Sequence, residues 1–180
     1  MPIPKNSIQR TVPMKKIYLI RHAKSSWADG NLTDFERPLN KRGLRDAPNM
    51  GVFLKKQGVL PQLIVSSPAK RALTTANIIA KAIDYPTNNI VQNQELYVFT
   101  LDVAIVFDII ANIHNNIDRL MLFGHNPTFT ALNNFLARQN YFDNIPTCGC
   151  TCWEIDTNRW ADVATAKANL LFFKFPKMLL

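Results

Sequence analysis

Short apolar runs alternate along the chain with longer segments whose apolar positions recur at helical spacing. KIYLI (16–20) reads as a short buried strand, and it stops abruptly at Arg21 and His22. NKRGLRDAPNMGVFLKKQG (40–58) has a helical pattern, with Asn40 placed to cap its start and Gly58 to end it. Pro48 lies inside that pattern and predicts a kink or a later start. QLIVSS (62–67) is a second buried strand, and Pro68 then suits the first turn of a helix over 68–83 capped by Ser67. A third helix is expected over 100–113, with Thr100 as its cap. RLMLFGH (119–125) reads as a strand, followed at once by Asn126, Pro127 and a helix over 128–138. CTCWEID (150–156) and NLLFFKF (169–175) read as a closing strand pair.

Strands alternating with helices imply an α/β fold, a mostly parallel sheet sandwiched between two helical layers. The closing pair is expected to add an antiparallel edge. A length of 180 residues fits one domain. That domain is expected over 15–180, preceded by a polar, Pro-containing tail over 1–14.

Composition leaves this picture unchanged: 47% hydrophobic and 19% charged residues are ordinary for a soluble globular protein. No apolar run approaches the ~20 residues of a membrane helix. The first residues lack the apolar core of a secretory signal, so a cytoplasmic protein is expected. Cys148, Cys150 and Cys152 are odd in number and spaced by two, which puts them on one face of a strand. They read as free structural thiols, since C-x-C-x-C is not a zinc-ligand spacing.

Charge adds more. A formal net charge of +8 favours anionic partners. Nucleic acid, small phosphates and acidic protein surfaces are the candidates. The basic residues are spread along the chain with no aromatic-plus-basic recognition motif, so no nucleic acid is expected, and charge alone does not decide further.

In parallel sheets ligands bind beyond the carboxyl ends of the strands. Three predicted strand ends carry polar groups: Arg21–His22, Ser66–Ser67 with Arg71 just beyond, and Gly124–His125–Asn126. Two of the chain's three histidines fall there. The third, His114, sits at a polar helix end and reads as structural. Arg71 lies in a helix's first turn, where the dipole disfavours a cation unless an anion is bound beside it. An imidazole can take a phosphoryl group and split a displacement into two easier steps. Arginines and a second histidine can neutralise the charge on its oxygens. No acidic cluster suggests a metal site, so neither metal nor other cofactor is expected.

At these residues the sequence resembles a known family. LIRHAKSSW resembles the R-H-G/A motif of the histidine phosphatase superfamily, SSPAKRALTTA its S-S-x-x-x-R-A-x-x-T-A segment, and LFGHNP its second-histidine strand end. RHAKSSW, DFERPLNKRG and GHNP together resemble the SixA-type phosphohistidine phosphatases, and the likeness extends to IPT at 145–147. The resemblance implies a phosphoglycerate-mutase-like fold and a metal-independent phosphatase. Within it, His22 is the residue phosphorylated, and Arg21, Arg71 and His125 form the phosphate pocket. Ser25, Arg37 and Asn126 are further candidates for phosphate or substrate contact, with a surface ion pair as the other reading of Arg37. Many members use a carboxylic acid to protonate the leaving oxygen. Glu95, in NQELYVF, is the candidate here, with an ordinary solvated glutamate as the alternative.

The implied substrate is phosphohistidine on a protein, such as an Hpt-type domain of a phosphorelay, and the protein is expected to be a monomer. A small-molecule phosphomonoesterase and a phosphate- or phosphoprotein-binding module without turnover are the alternatives.

Overall fold

A computed structural model of the chain describes residues 14–179. The tail expected over 1–14 lies, apart from Met14, outside the described residues. Six strands form one sheet in the order β3-β2-β4-β1-β5-β6. They are β1 (Lys15–Arg21), β2 (Leu63–Ser66), β3 (Val91–Gln92), β4 (Arg119–Gly124), β5 (Cys150–Ile155) and β6 (Ala168–Lys174). The first four are mutually parallel, and β5 runs antiparallel to both β1 and β6.

Side chains alternate across this sheet because the strand period is two. Ile17 and Leu19 of β1, Val65 of β2, and Leu120 and Leu122 of β4 face one layer. Helices α3 (Ala104–Ala111) and α4 (Thr128–Ala137) cover it with Val106, Ile110, Phe129 and Leu132. Tyr18, Ile20, Ile64, Met121 and Phe123 face the other layer. There they meet Met50 and Leu54 of α1 (Lys41–Lys56) and Ala76 and Ile79 of α2 (Lys70–Ala82). Each fully buried aliphatic side chain contributes about 1.5–3 kcal/mol, so these two layers are what holds the sheet in register. The three cysteines are free and buried in the second layer. On the first face, Asn133 of α4 accepts from Thr151 Oγ1 at 2.6 Å and Trp153 Nε1 at 2.8 Å, which fixes α4 against β5.

Several elements differ from expectation. Helix α1 starts at Lys41 and continues through Pro48, so Pro48 does not mark a later start. Pro48 and Leu44, whose carbonyl loses its intrahelical donor, are both exposed, so water can meet that carbonyl. Asn40 does cap α1, its Oδ1 accepting from Gly43 N at 2.9 Å, and Gly58 follows the helix at φ +66°. Helix α2 begins at Lys70, after Ala69 rather than Ser67. The chain enters helical geometry only at Lys70, so Ser67 lies too far ahead to cap it, and its Oγ accepts from Ala69 N at 3.4 Å in the turn before the helix. Helix α3 begins four residues after Thr100: Asp102 Oδ1 accepts from Ala104 N at 2.9 Å, while Thr100 Oγ1 closes the preceding turn. The two-residue edge strand β3, too short to show a period of its own, was not anticipated.

The sheet order sets up the site. The strands β2, β4 and β1 lie side by side and parallel, so their carboxyl ends open on one edge of the molecule. Among the described residues no helix is long and apolar enough to cross a membrane.

Candidate active site

His22 follows β1, and its backbone is fixed from both sides. Its N–H donates to Gly124 O at 3.1 Å, and Cys148 N donates to the carbonyls of Arg21 and His22, both at 3.1 Å. The His22 ring is buried, and Nδ1 lies 2.7 Å from the carbonyl of Ala23. A carbonyl only accepts, so Nδ1 carries the proton and Nε2 presents its lone pair. Arg71 Nε donates to that nitrogen at 3.3 Å. His125, at the end of β4, stands with its ring centroid 5.1 Å from that of His22. Its Nε2 is 2.8 Å from Ser67 Oγ at the end of β2. Ser67 thus orients a histidine instead of capping α2.

Arg71 is only 1% exposed, in the first turn of α2. Beyond His22 it donates to the backbone carbonyl of Asp34 and, from NH2, to Asp34 Oδ2 at 2.8 Å. Arg21 NH1 donates to Ile145 O at 2.7 Å and Asn144 Oδ1 at 3.3 Å. Asn126 Nδ2 uses the same two acceptors, at 3.1 and 2.8 Å. The segment at 144–145 therefore ties Arg21 to Asn126, and Asn126 joins Pro127 through a cis peptide. Arg37 is buried, stacked 3.3 Å from the ring centroid of the exposed Trp27, with its Nε 3.2 Å from Asp34 Oδ1.

Several of these groups keep hydrogen-bonding capacity that the protein does not use. Arg21 Nε, Arg37 NH1, His125 Nδ1 and Asn126 Oδ1 are buried without a hydrogen-bond partner in the protein. Buried donors left unmatched are costly and uncommon. The cation at the other end of β1 makes the contrast. Lys15 Nζ, equally buried, donates to Asn115 O, Ile117 O and Asp118 Oδ1 at 2.7–2.9 Å. Cationic donors converging unmatched around one imidazole suit an oxyanion with several acceptor oxygens.

Electrostatics sharpens the assignment. Burial above all pushes the His22 pKa down to about 3; the Ala23 carbonyl opposes it, and Arg71, Arg21 and Arg37 each add a smaller downward push. Burial, His22 and Arg71 likewise hold His125 far below its ordinary value. Both rings are neutral at pH 7, so His22 Nε2 keeps its lone pair. Burial alone would raise the carboxyl of Asp34, but hydrogen bonds from Tyr97 and Arg71 keep it below its ordinary value and therefore ionised.

The structure brings together His22, Arg21, Arg71 and His125, with Arg37 and Asn126 at the edge of the group. Ser25 is buried in the loop after His22, its backbone bridged to Leu39. Glu95 is placed differently. It is exposed in a single 3-10 turn (Gln94–Leu96) and lines a depression with Asp108 and Asn112 of the α3 side, apart from the His22 cluster. Two residues later Tyr97 turns inward, its hydroxyl 2.7 Å from Asp34 Oδ2 and its ring edge-on to His125. Asp34, Tyr97 and Phe99, whose ring centroid lies 4.9 Å from that of His125, were not anticipated. For Asp34 a signal existed: it stands three residues before Arg37 in the same DFERPL motif.

Known proteins share this fold and parts of this sequence. The model of the histidine phosphatase superfamily (branch 1) matches residues 17–97. An uncharacterized protein of Mycobacterium tuberculosis is 30% identical over 167 residues, which cover 88% of this chain and 100% of that protein. An uncharacterized chloroplastic protein of Arabidopsis thaliana is 42% identical over 81 residues, 45% of this chain and 35% of that relative. Among solved structures, SixA of Agrobacterium tumefaciens superposes with a TM-score of 0.76 at 26% identity, over 90% of this chain and 98% of its own. The protein histidine phosphatase SixA complexed with tungstate shares the fold, with a TM-score of 0.76 at 19% identity over 92% of this chain and 99% of its own. The chain belongs to the histidine phosphatase superfamily, and its phosphoglycerate-mutase-like fold is SixA-like.

Proposed function

We propose that the protein is a phosphohistidine phosphatase of SixA type, a metal-independent hydrolase that works through a phosphorylated His22. The observation that carries this reading is the Nδ1–H bond to Ala23 at 2.7 Å, which leaves Nε2 unprotonated beside Arg71. In the first step the Nε2 lone pair forms a bond to phosphorus while the bond to the leaving group breaks with its electron pair. In the second, water attacks the phosphorus, the Nε2–P bond breaks, and inorganic phosphate leaves. Arg21, Arg71, Arg37 and a donor nitrogen of His125 are the groups available to neutralise the equatorial oxygens.

The leaving group is the finer part of the reading. An alkoxide needs a proton as it departs, whereas an imidazole can be protonated from solvent. Asp34, the carboxylate hydrogen-bonded into the cluster, is held ionised by Tyr97 and Arg71, which disqualifies it as a proton donor. Glu95 faces elsewhere. A phosphoramidate therefore suits these residues better than an alkyl phosphate. A phosphohistidine-bearing protein, such as an Hpt-type domain, is the substrate this favours, for a monomeric enzyme acting in the cytoplasm.

The test is a hydrolysis screen over a phosphohistidine protein, an activated aryl phosphate, a sugar phosphate and pyrophosphate, with rapid acid and alkaline quenching. The expected result is fastest turnover of the phosphohistidine protein, with enzyme-bound phosphate that is labile in acid and stable in alkali. Faster turnover of the sugar phosphate would instead favour a small-molecule phosphomonoesterase. Tight phosphate binding without turnover of any substrate would make the protein a binding module.

A further inference from the structure

The buried guanidinium of Arg71 has few ways to stay aimed at His22 on its own. It sits at the start of α2, where the dipole repels it, and its side chain has four rotatable bonds to order. Its orientation comes from the loop before α1. Asp34 receives two of its N–H groups, one at the main-chain carbonyl and one at Oδ2, 2.8 Å from NH2. Two N–H groups on two different oxygens of one residue fix the plane of the guanidinium as well as its place. With that plane fixed, Nε–H is directed at His22 Nε2.

Asp34 is itself restrained. The Tyr97 hydroxyl donates to the same Oδ2 at 2.7 Å, and Arg37 Nε lies 3.2 Å from Oδ1. The loop carrying Asp34 is closed by Thr33, whose N–H and hydroxyl donate to Glu36 Oε2 at 3.1 and 2.6 Å. Lys70 N donates to Phe35 O at 3.0 Å, which ties the loop to the first turn of α2. Phe35 packs edge-on against Tyr97, with ring centroids 5.2 Å apart. A chain of contacts thus runs from Tyr97 through Asp34 and Arg71 to the attacking nitrogen.

We propose that Asp34, backed by Tyr97, is the positioning residue of the reaction: it acts through Arg71, aligning the guanidinium with His22 Nε2 and with the oxygens of the phosphoryl group whose phosphorus Nε2 attacks. This rests on the function proposed above. Asp34 lies on the far side of Arg71 from His22, so it contributes orientation and touches no reacting atom. Displacements of about 1 Å in such a group cost on the order of 100-fold in rate.

The experiment pairs kinetics with nitrogen NMR on the full chain. Asp34→Ala is expected to lower kcat by about 10- to 100-fold with KM changed less than about 3-fold, the scale for misplacing one group. Asp34→Asn retains the main-chain carbonyl and a side-chain oxygen that accepts from Arg71, and is expected to recover most of the lost rate. Tyr97→Phe keeps the carboxylate, loosens it, and is expected to fall between wild type and Asp34→Ala. The decisive readout is the ¹⁵N shift of His22 Nε2, which reports its hydrogen bond from Arg71. It is expected to move in Asp34→Ala and to return in Asp34→Asn. An unchanged Nε2 shift in a folded Asp34→Ala variant overturns the proposal, as does wild-type kcat in that variant. Equal loss of rate in Asp34→Asn and Asp34→Ala overturns it too. The NMR arm needs no turnover, so an inactive wild-type protein would sink the proposed function while still testing the positioning of Arg71.

Discussion

His22 Nδ1 and the carbonyl of Ala23 lie 2.7 Å apart, so the residue that follows the histidine decides which of its nitrogens is free. A backbone carbonyl cannot be removed by substitution, and it cannot change protonation state. The tautomer is therefore set by the chain path, which Gly124 and Cys148 hold through hydrogen bonds to the backbone at 21–22.

The first prediction follows from that nitrogen. His22→Ala should abolish turnover but leave much of the anion affinity, since Arg21, Arg37, Arg71 and His125 remain. Isothermal titration with vanadate should still show binding when steady-state hydrolysis is absent. In the wild type, the trapped phosphate should be on Nε2, because Nδ1 is committed to Ala23. Phosphate found on Nδ1, or normal hydrolysis by the variant, would contradict the covalent mechanism.

Arg71→Ala and His125→Ala should each lower kcat by about 100-fold or more, the usual cost of losing one preorganised group that stabilises developing charge. Arg71→Lys should restore little. A lysine has no planar fork to satisfy Asp34 at two acceptors while also reaching His22. The comparison is read from kcat on an activated aryl phosphate. Full activity in either alanine variant would place the phosphate elsewhere.

Much of this site was legible before the fold was known. Arg21, His22, Arg71 and His125 could be grouped because an alternating α/β pattern brings parallel strand ends to one edge, and β1, β4 and β2 are adjacent there. The apolar runs were readable because buried parallel strands are nearly continuous in apolar residues, as LMLFG in β4 shows. What escaped depended on tertiary contacts. Asp34 becomes part of the site only because Lys70 ties its loop to α2, and no local pattern reports that bond. Tyr97 and Glu95 are two residues apart in a 3-10 turn and its exit, and the turn's direction decides which one enters. The start of α2 is not legible in the same way: Ser67 is a plausible cap by type, but the helix begins only at Lys70 and the Ser67 hydroxyl meets the His125 ring.

Glu95 provides a test that is independent of the arginines. It is exposed on the α3 side, and its backbone N–H is taken by Asn93 Oδ1 at 2.8 Å. A general acid contributes roughly 100- to 10,000-fold to the step it serves, and that contribution is largest for basic leaving groups. Glu95→Gln should leave the hydrolysis of alkyl phosphates, aryl phosphates and phosphohistidine protein equally near the wild-type rates. A selective fall of about 10-fold or more on alkyl phosphates alone would assign Glu95 the acid role after all.

Acid should destabilise the fold through the two site histidines, and the sign follows from their protonation. In the unfolded chain each binds a proton near pH 6.5. In the folded protein burial and the neighbouring arginines hold His22 down to about 3, and His125 is depressed by burial, His22 and Arg71. Below pH 6.5 the unfolded chain thus binds more protons than the native one, and stability rises with pH. The contribution is fully present above about pH 6.5 and is lost as pH falls toward the folded values, by up to about 1.4 kcal/mol per pH unit for each ring. Asp34 has its pKa lowered by Tyr97 and Arg71, so its own loss of stability begins only below the ordinary carboxylate value, and pH 5–6.5 isolates the imidazoles. Thermal melts of the wild type should therefore show Tm falling steadily across that interval. His125→Asn, which cannot charge, should fall less steeply, and the doubly substituted His22→Asn, His125→Asn protein should be nearly flat there. Vanadate should oppose the fall in the wild type, because a bound oxyanion favours the charged imidazoles that burial otherwise forbids. Parallel Tm curves for all three proteins over pH 5–7.5 would mean that the histidines bind protons alike in the folded and unfolded chains, and would refute their depression by burial and the neighbouring arginines.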